Sequence, residues 1–185
     1  MLKEVRIHGR GGQGVVTTAQ LLAYAAFIEG KYVQAFPFYG AERRGAPLKA
    51  FVRISDSPIL IHSQIYYPDY VVVLDPQIEN IVDVTQGLKK VGLILINSPK
   101  KPGELRFQGW RVATVDATEI ALELDLCVAG LPVVNTAILG AFAGASKEIG
   151  LNSVLKAIRE AWKGIASEKN IQAAELAYKR LIKGW

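Results

Sequence analysis

The stretch Gly9-Arg10-Gly11-Gly12-Gln13-Gly14 places four glycines in six positions. It follows an alternating β-type run with Val5 and Ile7 on one side and Arg6 and His8 on the other, and a helical run begins at Val15. Gly9, Gly11 and Gly14 satisfy G-x-G-x-x-G in the strand–turn–helix context that phosphate sites use. Glycines leave room for an anion to approach the backbone, and the free N–H groups of a helix start point at it. Thr17 and Thr18 offer hydroxyl donors in the first turn. A tight turn allowing close helix–strand packing is the competing reading of the same residues.

A nicotinamide-dinucleotide site also needs an acidic residue at the end of the second strand to hold a ribose hydroxyl. Here that strand runs into "QAFPFYG", and no Asp or Glu occurs before Glu42. A Walker loop is excluded as well, because no Gly-Lys-Ser/Thr follows. The loop is therefore read as holding an anion, most simply a phosphate of a CoA-type or nucleotide ligand.

The second chemically loaded segment is "FPFYGAERRGAP", residues 36–47. Arg43 and Arg44 lie between glycines and follow three aromatics. Arginine forks bind phosphates and carboxylates in bidentate fashion. A solvated turn and a protein–protein contact are the other readings. In "LPVVNTAILGAF" the lone polar Asn135 opens an apolar helix, where it either caps, meets a polar core group or touches a ligand. Asp75 and Asp116 end strands, where they either face a ligand or cap the next helix. No nucleophile–base arrangement, nucleophile elbow or carboxylate pair appears, so no catalytic residue is assigned. The chain reads as a binding subunit.

The elements that position these residues follow from periodicity. "LKAFVRI" alternates cleanly, with Leu48, Ala50, Val52 and Ile54 on one side, which suggests an antiparallel or edge section. "DYVVVLD" and "VGLILIN" are continuous apolar runs of the kind buried on both sheet faces, and "WRVATVD" is a shorter one. Helical patterns fall at 15–28, 77–90 and 117–126, and from Pro132 onward helix follows helix, broken near Gly150 and Gly164. This alternation indicates an α/β sheet of mostly parallel character. One domain is expected over 1–185, with a sheet-forming part at 1–130 and C-terminal helices at 131–185 packed on it.

Composition narrows the function classes. Of 185 residues, 50% are hydrophobic and 21% charged, as in an ordinary globular chain. No apolar run is long enough to span a membrane, and the charged N-terminal residues do not resemble a signal peptide, so the expected location is the cytoplasm. The net charge is +5, and residues 151–185 hold seven Lys/Arg against three Glu. Without an arginine-rich arm or an aromatic-studded basic groove this is a solvated face, and no nucleic-acid partner is expected. A single cysteine, Cys127, excludes an internal disulfide and an iron–sulfur cluster built by this chain alone. With only His8 and His62 as imidazoles, no metal site is expected. Cys127 lies in an apolar run and is read as a buried, inert thiol.

Three segments in order, "GRGGQGVVTTAQLLA", "FPFYGAERRGAP" and "LPVVNTAILGA", resemble the gamma subunit of the 2-oxoacid:ferredoxin oxidoreductases. The arginine in GRGGQG and the ERRGAP loop resemble the pyruvate/2-oxoisovalerate type most closely. The resemblance implies a Rossmann-like three-layer α/β fold with helices on both faces. It implies a complex that converts a 2-oxoacid, CoA and oxidised ferredoxin to acyl-CoA, carbon dioxide and reduced ferredoxin. Thiamine diphosphate, Mg and [4Fe-4S] clusters would sit on partner subunits, in an assembly with alpha, beta and delta chains. Gly11, Gly12, Gln13, Gly14 and Asn135 match positions near CoA in that family. Thr17 is added from its place in the first helical turn. Arg43 and Arg44 belong to the motif and would touch either CoA or a neighbouring subunit.

Overall fold

The computed structural model describes residues 1–38 and 45–185. Its framework is a seven-stranded mixed sheet. Strand β1 (Lys3–Arg10) is followed by helix α1 (Val15–Ile28), then by β2 (Tyr32–Phe38) and β3 (Pro47–Ser55). Next come β4 (Tyr70–Val73), β5 (Leu93–Asn97) and β6 (Arg111–Val115), and later β9 (Ile182–Lys183) at the far edge. The spatial order is β2-β3-β1-β4-β5-β6-β9. The four central strands, β1, β4, β5 and β6, run parallel. Antiparallel strands are added outside them, β3 and β2 on one side and β9 on the other. The alternation expected in residues 48–54 thus belongs to an antiparallel strand, paired on both sides.

Among the described residues, one face of the sheet carries every α-helix. Val5 and Ile7 of β1, Ala50 and Val52 of β3, and Leu93 and Leu95 of β5 join one core with α1, α2 (Ala117–Glu123), α3 (Asn135–Ser146), α4 (Leu151–Ala161) and α5 (Gly164–Arg180). Helix α3 is buried from Asn135 through Ala145, which explains why its sequence is apolar all round. It crosses α5 so closely that a Cβ on Gly140 would lie 2.0 Å from the carbonyl oxygen of Ala174.

The other face is covered differently. Val71, Val73, Ile94 and Ile96 pack under Ile78, Val84, Leu88 and Phe107. The helices there are two short 3-10 turns, Pro76–Asn80 and Pro102–Glu104. The α-helix expected over 77–90 does not form. The Asp75 carboxylate caps the Gln77 N–H, the Asp83 carboxylate takes the Thr85 N–H, and Gly87 sits at φ 73°, so local side-chain and backbone bonds replace a continuing helix. Helix α2 ends at Glu123, short of the expected 126, and a small hairpin follows, β7 (Cys127–Val128) with β8 (Leu131–Pro132). Among the described residues, no helix is long and apolar enough to cross a membrane.

Toward β2 and β3 this second face becomes polar and buried. Arg53 donates to Glu4 Oε1 at 2.9 Å and to the carbonyls of Ile61 and Ser63, fixing the irregular segment at 59–64. Next to it, Arg6 Nε donates to His8 Nε2 at 3.0 Å. His8 is held well below its ordinary pKa by burial first, then by Arg6 and Lys49, so it is neutral in the folded chain. An unfolded histidine protonates near pH ~6.5, where the folded one does not. The unfolded state therefore binds the extra proton below that pH, and stability falls as pH falls, by about 1.4 kcal/mol per unit. His8→Gln keeps an acceptor for Arg6 and should remove this part of the slope in urea melts recorded from about pH 7 down to about pH 5.5. Equal slopes for the two proteins would show that His8 is not the group responsible.

Candidate functional site

The chain leaves β1 for α1 toward one side of the sheet, whereas the connection after β4 leads to the other. The glycine loop therefore sits at the sheet's switch point, outside the carboxyl ends of β1 and β4, where open α/β sheets bind ligands. The loop is held from below. The Gly11 N–H donates to Ala46 O at 3.1 Å and the Gln13 N–H to Arg10 O at 3.1 Å. Arg10 Nε donates to Asp75 Oδ2 at 2.7 Å, and Gln13 Nε2 donates to the same oxygen at 3.2 Å. Gln13 Oε1 in turn accepts from the Arg10 N–H at 2.7 Å. Gln13 is thus turned into the loop as a brace, and Asp75 ties the loop after β1 to the loop after β4.

Gly12 and Gly14 differ in what requires them. Gly12 has φ 97° with open space where a Cβ would go. Gly14 caps α1 at φ 78°, and a Cβ there would lie 3.0 Å from Asn135 Nδ2. Among the described residues, the N–H groups of Gly12, Gly14, Val15, Val16 and Thr17 have no protein acceptor. With the Asp75 charge engaged by Arg10, these donors have the chemistry that suits an anion.

A cavity of about 300 Å³ opens beside the loop, bordered by Gly12, Gln13, Asp75, Asn97 and Thr118. The β7–β8 hairpin forms its far wall through Val128, Leu131 and Pro132. Asn97 is fully engaged: its Nδ2 donates to Leu74 O and Thr118 Oγ1, and its Oδ1 accepts from the N–H groups of Ala117 and Thr118. It locks the start of α2 to the end of β4. An asparagine closing the apolar strand "LILIN" was the only signal for it in the sequence.

Four of the expected site residues border three neighbouring hollows, and Gly11 and Gly14 line none of them. Gly12 and Gln13 border the cavity just described. Asn135 borders a second one of about 420 Å³, with Trp162, Lys169 and Asn170. Val128 and Val133 line both, so the hairpin is the partition between them. Thr17 faces a groove between α1 and α4, with Leu21, Tyr24 and Trp162. The Thr18 hydroxyl donates to Gly14 O and is used within the helix. Asn135 is the first residue of α3, with its Oδ1 accepting from the Thr136 N–H at 2.8 Å. Asp75 and Asp116 both cap the helices that follow them. Arg43 and Arg44 lie outside the described residues. Cys127 is exposed on the hairpin, which corrects the expectation of a buried thiol. Its apolar neighbours Val128 and Leu131 are exposed with it, so the run marks a surface hairpin, not a core strand.

Fold and site together define an α/β chain with a glycine loop at the switch point of a mixed sheet; among the described residues no group of three or more His, Cys, Asp or Glu could hold a metal ion. The chain belongs to the pyruvate ferredoxin/flavodoxin oxidoreductase family, whose profile matches residues 4–180. Within that family it is a gamma-type subunit. It is 55% identical, over 97% of both chains, to the pyruvate/ketoisovalerate oxidoreductases common subunit gamma of Thermococcus kodakarensis. It is 52% identical, again over 97% of both, to pyruvate synthase subunit PorC of Methanocaldococcus jannaschii. The crystal structure of pyruvate oxidoreductase subunit PORC from Thermotoga maritima superposes with a TM-score of 0.85 at 34% identity, covering 100% of this chain and 99% of that one.

Proposed function

We propose that this subunit positions coenzyme A in a cytoplasmic pyruvate- or 2-oxoisovalerate:ferredoxin oxidoreductase, assembled with alpha, beta and delta subunits and delivering electrons to ferredoxin. The observation that carries this is the set of amides at Gly12 and Gly14 to Thr17 that find no acceptor among the described residues, in a loop that borders the switch-point cavity through Gly12 and Gln13. CoA is a polyanion with a long flexible arm. A backbone anion site fixes one end and lets the thiol reach a reacting carbon held by another chain. Thiamine diphosphate with Mg supplies the decarboxylation chemistry, and [4Fe-4S] clusters carry the electrons, both on partner chains. The donors of this chain do not suit those groups, since it has one cysteine and its described residues hold no cluster of three metal-binding side chains.

The test uses the assembled complex. Gly12→Asp sets a carboxylate beside the open amides, whereas Gly12→Asn gives nearly the same shape without the charge. Both share the cost of φ 97°. The Asp variant should raise the KM for CoA at least about tenfold over the Asn variant, with the KM for the 2-oxoacid unchanged, because about 1.4 kcal/mol of repulsion corresponds to one decade. Equal CoA dependence in the two variants would leave the loop a purely structural turn.

A further inference from the structure

On the second face of the sheet, away from the glycine loop, lies a cavity of about 450 Å³ with unusual walls. Arg6 and Lys49 form its floor, and Phe38, Phe51, Tyr66 and Tyr67 surround them. Arg6 is 5% exposed. Its donors go to His8 Nε2 at 3.0 Å, to Val84 O at 3.0 Å and to Gln86 O at 2.6 Å. Among the described residues, none goes to a carboxylate. Among the described residues the acid whose charge acts on it is Asp83, whose carboxylate is engaged with Thr85. Lys49 stands opposite His8 in the sheet register. Among the described residues it makes no ion pair.

The contrast with Arg53 on the same strand as Lys49 is direct. Arg53 is just as buried, and Glu4 neutralises it at 2.9 Å. Buried cations are ordinarily paired. At Arg6, and at the part-buried Lys49 that shares its hollow, the direct partners among the described residues are only carbonyls and an imidazole. Around the mouth, Tyr66 and Tyr67 are 63% and 69% exposed. Arginine with exposed tyrosines is the composition of interface anchors. A small anion would satisfy the charges but leave those rings in water, whereas a protein surface covers both.

We propose that this cavity receives an aspartate or glutamate side chain from a neighbouring subunit of the oxidoreductase, its carboxylate seated between Arg6 and Lys49 while Tyr66 and Tyr67 pack on the flanking surface. The inference rests on the reading of this chain as one subunit of a larger assembly.

Lys49→Glu separates the two ideas. In the isolated chain, the introduced carboxylate would sit beside Arg6 and supply its counter-charge from within, so the thermal midpoint should rise. In the assembly the same carboxylate meets the partner's, so association should weaken. Binding of immobilised gamma subunit to the purified remaining subunits is measured across a range of NaCl concentrations, for wild type, Lys49→Glu, Lys49→Arg and Tyr66→Ala. Lys49→Glu is expected to raise the Kd at least about tenfold, one decade for a unit charge that no longer meets its opposite, and to flatten the salt dependence. Lys49→Arg should stay close to wild type, and Tyr66→Ala should weaken binding without changing the salt slope. Lysine replacing one acidic residue of the partner should restore binding to the Lys49→Glu variant. Wild-type affinity in Lys49→Glu would overturn the proposal. So would stabilisation of the isolated chain by inorganic phosphate through Lys49 with association unaffected, which would make the cavity a free-anion site. Failure of the wild-type subunit itself to bind the others would instead overturn the assembly reading.

Discussion

Replacing Arg53 with methionine should destabilise the protein by about 3–5 kcal/mol, the cost of removing one partner from a buried ion pair. Arg53 is 1% exposed. Its guanidinium reaches Glu4 Oε1 on β1, Gln34 Oε1 on β2, and the carbonyls of Ile61, Ser63 and Gln64. It also lies 5.4 Å from the centre of the Phe36 ring. Methionine keeps much of the volume and loses every donor, leaving the Glu4 carboxylate and the loop carbonyls without their shared cation. Urea denaturation measures the loss, and cleavage by a protease within 59–64 should accelerate in parallel. Adding Glu4→Gln should recover part of the stability, because part of the cost is an uncompensated charge. A loss below about 1 kcal/mol would show that solvent replaces the arginine, as it does for surface pairs.

Gly140→Ala should lower stability by about 3 kcal/mol, at the upper end of overpacking costs, although alanine is the better helix former by about 1 kcal/mol. A Cβ at position 140 would lie 2.0 Å from Ala174 O, 2.6 Å from its carbonyl carbon and 2.7 Å from its Cα. These are backbone atoms, so α5 must move as a body, and its buried Ala173, Ala174 and Ala177 must leave the core with it. Gly144→Ala is the control. One turn further along α3, the added methyl meets the Leu181 and Tyr178 side chains at 3.0 to 3.2 Å, which can turn aside. It should change stability by no more than about 1 kcal/mol. Similar melting temperatures for the two variants would mean that the helices re-seat at no cost.

The sheet was legible because its signals are local. Alternation in β1 and β3, and the unbroken apolar runs of β4 and β5, each report burial on one or both faces. The divisions near Gly150 and Gly164 also match the starts of α4 and α5. The segment at 77–90 misleads because Ile78, Ile81 and Val82 have the i, i+3, i+4 spacing of a helix face, while the bonds that stop a helix come from Asp75 and Asp83 side chains. Gly87 adds a reason that no local pattern contains: a Cβ there would lie 2.1 Å from the carbonyl oxygen of Tyr66, which belongs to a distant stretch of the chain. At the site, the glycine motif announced the loop, but not that Gln13 would serve as its brace. Nor did spacing show that Asn97 would lock α2 in place, or that the hairpin at 127–132 would divide two cavities. Those roles depend on which strand ends lie side by side.

The clasp formed by Arg10, Asp75 and Gln13 bears on the thermodynamics of binding. A glycine-rich loop is ordinarily the most entropic part of a fold, and freezing one around a ligand consumes affinity. Here each side chain that fixes the loop belongs to the loop itself or to the neighbouring strand end, and none waits for a ligand. The ordering is completed when the chain folds, so an anion bound as proposed would meet donors already in place. Loosening the clasp would add that entropy loss to each binding event and shorten the residence of whatever occupies the loop.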